Sequence, residues 1–486
     1  MTYNAMGSAA RLVIATTASA WGLSGNRWGP SLFLVALLTA CSASLPPVDP
    51  EKLPPTPAAY KEGSFTVAAP AEAQPRGEWW KAFSDPLLDE LIERADGGNT
   101  SIRIAAARLT QARAFVRATD AARMPQVDVS AGAARGRGLV NGVPIQGTQS
   151  LFTAGADLSY EVDLFGRLRQ ASDAARLDAQ ASEGLLQSAR LLVQAQVAQT
   201  YLTLRALDRE RALVRSTVVA YRETLELTER RWRAGDVAEL DVARARTEVA
   251  ATESDAIALD RQRAELEHAL AVLVGEPAST FAVEPGDWTT LLPVIPAGVP
   301  STILTRRPDV SAAQNSLLAA QTRVGVAKAA WFPSFALTAN GGYASSDLSD
   351  LFQWSSRAWG LGVIGALPIF DGGRRNAGIQ AAGADFDIAI ASYREQVLVA
   401  FKDVEDQLAA LRLLEEQAEA QERAVTSATR STALSEVRYR NGYVSQLDLL
   451  DAQRSELRNR RQALQVRSAQ YQSTVALVRA LGGAWN

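Results

Sequence analysis

The chain has 486 residues, 47% of them hydrophobic, and a formal net charge of −3. It holds one Cys and one His, which excludes an internal disulfide framework and any His/Cys metal cluster. The mildly acidic balance gives no reason to expect nucleic acid as a partner, and removing residues 1–40, which hold Arg11, Arg27 and no acid, makes it more acidic still.

The first element is a leader. Leu32-Phe33-Leu34-Val35-Ala36 runs into Leu37-Leu38-Thr39-Ala40-Cys41, a short apolar stretch closed by small residues. It reads as an export signal over 1–40, too short to span a membrane as a helix. The end of that stretch resembles a bacterial lipobox, which implies that Cys41 becomes the first mature residue and carries lipid. Ser42, rather than an Asp, implies sorting to the outer membrane. Residues 41–77 are expected to form a lipid-anchored extended linker, stiffened by prolines between 44 and 57.

A helix is predicted from Pro86 to Arg123 and ends at Met124-Pro125, because proline cannot continue it. Two alternating segments follow, 126–135 and 150–163, with a Gly-rich loop between them from Gly136 to Gln149. In the second, Phe152, Ala154, Ala156, Leu158, Tyr160 and Val162 share one face. A period of two with one apolar and one small or polar face fits a strand between lipid and water. From Arg167 to Arg233 there is no proline, and apolar residues from Val193 to Leu225 alternate at spacings of four and three. That is a coiled-coil pattern, or a helix lining a wider tube. The chain turns at Gly235 and a second helix returns, carrying Leu259, Leu266 and Leu273.

The whole order then recurs. Arg231-Trp232-Arg233-Ala234-Gly235 with Leu240-Asp241-Val242 returns as Arg438-Tyr439-Arg440-Asn441-Gly442 with Leu447-Asp448-Leu449, 207 residues later. The second copy has strands expected at 334–343 and 357–370. A unit this long is a duplicated module, not a solenoid repeat. The expected organisation is a first repeat over 78–275, a proline-rich equatorial segment over 276–308 and a second repeat over 309–486. Four strands cannot close a barrel, and open edges in lipid leave backbone groups without partners. The chain must therefore oligomerise, with long helices continuing the barrel as a tube.

Several motifs carry a resemblance to a known family. They are Trp79-Trp80-Lys81-Ala82-Phe83-Ser84-Asp85-Pro86, Tyr160-Glu161-Val162-Asp163-Leu164-Phe165-Gly166-Arg167, Arg306-Arg307-Pro308-Asp309-Val310, Leu367-Pro368-Ile369-Phe370-Asp371-Gly372-Gly373 and Ala480-Leu481-Gly482-Gly483-Ala484-Trp485. In this order they resemble the TolC-like outer-membrane efflux proteins, in the NodT-type lipoprotein branch. The resemblance implies a mainly α fold with membrane β: a homotrimer with a twelve-stranded β-barrel continuing into a periplasmic α-helical barrel. It implies the exit duct of a tripartite pump that carries drugs or toxic compounds, with no cofactor. A periplasmic adaptor and an inner-membrane RND-type transporter are the implied partners, besides self and outer-membrane lipid.

Carried over by motif, Leu447 falls at an apolar ring and Asp451 at an acidic ring of the periplasmic mouth, with Asp448 beside Leu447 and Arg244 at the first-copy place of Asp451. Solvated surface acids are the plain alternative for Asp448 and Asp451. Gly235, Gly442, Arg233 and Arg440 are the expected adaptor-facing tips, although glycine also simply terminates helices. An enzyme is disfavoured, since no His-centred triad, metal cluster or phosphate loop is present. Type I protein secretion on the same fold, or a non-conducting coiled-coil lipoprotein, are the other readings.

Overall fold

The computed structural model describes residues 45–55, 57, 59–62, 77–140, 143–295 and 306–483. The leader, Cys41 and Ala484-Trp485 lie outside these residues. Among the described residues, seven α-helices and four strands follow one another: α1 (Pro86–Gly98), α2 (Thr100–Ala121), β1 (Gln126–Val140), β2 (Val143–Val162), α3 (Arg167–Arg233), α4 (Glu239–Val274), α5 (Pro308–Ala329), β3 (Ser334–Ser345), β4 (Arg357–Ala366), α6 (Arg374–Arg440) and α7 (Gln446–Ala480).

The duplication is metrically close. α3 and α6 have 67 residues each, and α4 and α7 have 36 and 35. A 67-residue helix is about 100 Å long. Each long helix starts on a left-handed glycine, Gly166 or Gly373. Just before it an aspartate caps the new helix: Asp163 accepts from the N–H groups of Leu168 and Arg169 at 3.1 and 2.7 Å, and Asp371 from those of Gly373 and Arg375 at 3.0 and 3.2 Å. Beside the first junction Phe165 stacks on Phe332, with ring centroids 4.7 Å apart.

The predicted helix over 86–123 is two helices. Asn99 breaks it: its side chain accepts from the N–H groups of Ser101 and Ile102 and donates to the Leu273 carbonyl at 2.7 Å. The preceding Gly98 lies against the backbone of Val274, where any Cβ would collide. The expected loop over 136–149 is also corrected. The β1–β2 ladder runs on through Arg137↔Thr148 and, after a register shift, to Val140↔Val143. In the opposite sense, β4 stops at Ala366 rather than 370, because Pro368 has no N–H to give to the ladder. The linker is not a free spacer where it is described. Pro46 accepts from Gln321 at 2.7 Å, Lys52 pairs with Asp387 at 3.0 Å, and Tyr60 is buried in the main core.

The four strands form one antiparallel sheet in the order β1-β2-β3-β4. Its register sorts the side chains into rows. Val127, Leu158, Ala339 and Leu361 lie side by side, and so do Val129, Ala156, Gly341 and Trp359. The alternate rows are Asp128, Asp157, Asn340, Gly360 and Gln126, Ser159, Thr338, Gly362. One face is thus apolar and strongly exposed, with Val129 at 85% and Leu361 at 79%, while the other is polar. An exposed apolar face beside a polar one is the arrangement of a barrel wall with lipid outside and water inside. β1 and β4 remain unpaired edges within the chain.

The main core lies midway along the long helices. Trp79, Trp80 and Phe83 pack there with Leu88, Leu91 and Ile92 of α1 against α3, α6 and the end of α7. The equatorial segment crosses over it: Trp288 packs on Tyr471 at 4.8 Å, and the Tyr471 hydroxyl donates to the Thr290 carbonyl. Asp85 ties this together, capping α1 through Leu87 and Leu88 and accepting from Tyr201 at 2.8 Å and Thr290 at 2.7 Å. Gly184, the one interior glycine of α3, has a local reason. A Cβ there would sit 2.8 Å from the Pro308 carbonyl oxygen and 3.1 Å from the Ala312 Cβ. Gly184→Ala is therefore expected to destabilise by about 1 kcal/mol, the overpacking of about 1–3 kcal/mol exceeding the roughly 1 kcal/mol gained in helix propensity. A shift to lower melting temperature checks it, and a rise would refute the close contact.

Candidate functional site

The ends of the two helical hairpins furthest from the sheet carry the predicted mouth residues, with Arg244 and Asp451 each paired within its own helix. Both turns are built alike. Gly235 and Gly442 have φ of +85° and +76°. Asp236 donates to the Arg231 carbonyl and Gly235 to that of Trp232, both at 2.9 Å; Tyr443 and Gly442 do the same to Arg438 and Tyr439 at 2.8 and 3.0 Å. This doubly bonded left-handed ending satisfies the last carbonyls of α3 and α6. A Cβ at either glycine would meet nothing within 4 Å, so the tips themselves are open.

Arg233 and Arg440 turn outward at these tips, Arg233 donating to the Glu229 carbonyl of its own helix and Arg440 pairing with Glu436 at 2.5 Å. Arg231 points across instead. Its guanidinium donates to the carbonyls of Tyr439 and Arg440 at 3.1 and 3.0 Å and lies 4.7 Å from the Tyr439 ring centroid. Thr228 and the Tyr439 hydroxyl are 3.2 Å apart in a buried contact. The first hairpin thus grips the end of the second.

The mouth residues fall into distinct environments. Asp448 is the fourth member of a capping box: its carboxylate accepts from the Ser445 N–H at 3.0 Å and hydroxyl at 2.7 Å, while Ser445 Oγ accepts from the Asp448 N–H. The Ser445 bonds hold the Asp448 carboxyl below the usual carboxylate range. Leu447 is 41% exposed, whereas Leu449 and Leu450 are buried between the hairpins. Asp451 is largely exposed and reaches Arg454 at 3.4 Å; Arg244 reaches Asp241 at 3.6 Å.

The polar link between unlike hairpins is made by a residue that sequence reasoning missed. Arg454 on α7 binds Glu248 on α4 as well as Asp451 on its own helix. The hydrogen bond to Glu248 holds the Arg454 guanidinium above its ordinary value. About two turns further on, Arg461 spans Glu210 of α3 at 2.7 Å and Asp255 of α4 at 3.1 Å. Beside these pairs, burial pushes the Tyr221 hydroxyl up to about 12. An Arg seven residues past another on one helix face was the available signal.

A second acidic feature lies on the polar face of the sheet. Asp128 is directly opposite Asp157, which accepts from Ser130 at 3.3 Å. The period-two reading put both on the inner face but could not pair them, since pairing depends on register.

The family model described as outer membrane efflux protein matches residues 91–276 and 299–483, one stretch per repeat. The chain belongs to the outer membrane efflux protein family. It is 34% identical over 456 residues to the pyoverdine export outer membrane protein OpmQ of Pseudomonas putida, covering 92% of this chain and 95% of that protein. It is 32% identical to the cation efflux system protein CusC of Escherichia coli, covering 93% and 98%. Among solved structures, the outer-membrane channel OprN superposes with a TM-score of 0.83 at 31% identity, over 91% of this chain and 99% of that one. The fold is accordingly that of one protomer of a trimeric channel, four strands of a twelve-stranded barrel joined to a helical barrel. Membership of this family makes the protein an outer-membrane efflux channel of a Gram-negative bacterium. The family is one of transport channels.

Proposed function

We propose that the protein is the passive exit duct of a tripartite pump for small toxic compounds, lipid-anchored at Cys41 and opened and closed at its hairpin ends. The observation that carries this is the sheet, apolar on one face and polar on the other with both edges open, set on long helices of 67 residues in each of the two repeats. Only a ring of copies closes such edges, and a ring of these protomers encloses a water-filled bore. Relatives of similar identity bear names for different cargo, pyoverdine in one case and cations in another. That supports a duct whose cargo is selected upstream, by an RND-type transporter coupled through a periplasmic adaptor. The exposed tips at Gly235, Gly442, Arg233 and Arg440 are the proposed adaptor contacts. The proposed domain limits follow the two repeats, 78–275 and 309–486, around the equatorial segment.

At the mouth, Leu447 supplies an apolar ring and Asp451 an acidic one, while Arg454–Glu248 holds unlike hairpins together. Asp448 has a mainly structural part, since Ser445 occupies its carboxylate. Arg244, bonded to Asp241, contributes positive charge beside the mouth.

Arg454→Ala is expected to shift the duct towards open states about fivefold, the share of one partly exposed pair worth about 1 kcal/mol. Single-channel recording in planar bilayers reads this as longer or larger openings, and Asp451→Ala should lower cation preference. Unchanged traces for both variants would remove these residues from the constriction. The cargo is tested by deleting the protein and measuring susceptibility to dyes, detergents and antibiotics in a strain without other ducts; no change would sink the small-molecule reading.

A further inference from the structure

The outer end of the sheet, opposite the helices, carries a charge pattern that the channel activity does not use. On the apolar face, the rows nearest that end contain arginines. Arg135 and Arg137 share the parity of Val127 and Val129 on β1, and Arg357 shares that of Trp359 and Leu361 on β4. A tilted strand crosses the apolar layer in about ten residues. Counted outward from Val127, Arg135 and Arg137 are the ninth and eleventh residues, and counted outward along β4 from its inner end at Ala366, Arg357 is the tenth. All three therefore stand where the lipid tails give way to headgroups, and all three are exposed.

They are also uncompensated. From Val129 to Ala156 the sequence contains no Asp or Glu, so Arg135 and Arg137 are the only charges in that stretch. Among the described residues none of the three lies within ion-pairing distance of a carboxylate. The nearby acids, Asp347 and Asp350, are on the β3–β4 connection, where Asp350 accepts from Gln353 at 2.8 Å. Aromatic residues fix the depth. The Arg357 guanidinium lies 3.7 Å from the Trp354 ring centroid, and Phe352, Trp354 and Trp359 are each more than 70% exposed. Exposed aromatics of this kind settle at the headgroup level.

β1 and β4 are the two edges of the sheet, so closing the barrel sets β4 of one copy beside β1 of the next. We propose that each such seam is a binding surface for the phosphate groups of outer-leaflet lipid, formed by Arg357 of one copy and Arg135 and Arg137 of its neighbour. Guanidinium groups suit this role because they hold phosphate oxygens in pairs and stay charged. Three seams give three such surfaces per trimer, and none is complete in a single chain. The proposal rests on the barrel reading of the sheet.

The test compares the detergent-purified full-length trimer with R135Q/R137Q/R357Q, using bis-phosphorylated lipid A and dephosphorylated lipid A as probes. The native protein is expected to bind the phosphorylated lipid about tenfold more tightly than the variant does, while the two bind the dephosphorylated lipid alike. Equal binding of the phosphorylated lipid by both proteins would overturn the proposal. So would displacement by inorganic phosphate at low millimolar concentration, which would mark a site for free anions and not for lipid. Conductance and the heat-resistant trimer band are followed in parallel and should not change in the variant. Failure of the native protein to form conducting trimers would count instead against the channel reading.

Discussion

Asp208→Ala should lower the stability of the protomer by about 3–5 kcal/mol, the usual cost of breaking a buried ion cluster by removing one partner. Asp208 is almost fully buried on α3 and accepts from three guanidiniums, Arg263 at 2.8 Å, Arg211 at 3.2 Å and Arg205 at 3.3 Å. Two of those arginines also hold the equatorial segment, Arg205 through the Glu284 carbonyl at 2.8 Å and Arg263 through that of Val283. Taking away the shared carboxylate leaves the buried Arg205 without an acid partner among the described residues, while Arg263 keeps Glu267 at 3.3 Å and Arg211 keeps Asp260 at 2.5 Å. It also loosens the strap that Arg205 and Arg263 grip. Thermal unfolding followed by circular dichroism reads the loss, and limited proteolysis should locate new cleavage between 276 and 295. Asp287→Ala is the control, since that residue meets Arg209 at 3.5 Å on the surface and should move stability by less than about 0.5 kcal/mol. Equal effects of the two substitutions would refute the cluster's role.

Arg307→Ala should act on the second repeat with comparable force, about 3 kcal/mol. Burial alone would lower the pKa of this guanidinium, but Asp309 and Asp403 more than reverse that and hold it above its ordinary value. Arg307 binds Asp309 through two nitrogens at 3.1 and 2.7 Å, Asp403 of α6 at 3.1 Å and the last carbonyl of α7 at 3.4 Å. It therefore joins the start of α5 to both helices of the second hairpin. The carboxylates left behind, each 25% exposed, can recover some water, which places the expected loss at the lower end of the range. Arg307→Lys keeps the charge but cannot span three partners, and should recover less than half. Recovery to native stability by lysine would show that charge alone suffices.

The long helices were legible because nothing in them breaks the pattern: a proline-free run from Arg167 to Arg233, with a heptad from Val193 to Leu225, gives α3 with the limits that the structure has. The strand faces were legible for a similar reason, period two being a property of the backbone. What escaped depended on contacts distant in sequence. Asn99 looks like one more polar residue in a helix until the Leu273 carbonyl appears beside it. Asp208 sits among arginines at helical spacings that read as a solvated face, and only the equatorial segment folded over them makes the place dry. At the mouth, motif matching picked out Asp451 and Arg244, whereas the bond between hairpins belongs to Arg454 and Glu248. The extent of β1 and β2 was missed although Asn141-Gly142, in sequence a strong hairpin signal, stands between them.

The stacked pair Phe165 and Phe332 has a consequence for assembly. By the repeat, the counterpart of Phe165 is Phe370 and the counterpart of Phe332 is Met124, yet within the chain Phe370 is 91% exposed and Met124 63%. One joint is made inside the polypeptide and its twin is left as two unmated halves, a plug on one flank and a socket on the other. Such a chain is a two-ended link. Links of this kind run on as filaments unless their curvature brings the last plug back to the first socket. Three links of two modules each close the circle, which saturates every end and halts growth. Half the joints form at a rate set by the chain alone and half at a rate set by concentration, so dilution should stall the ring without unfolding its links.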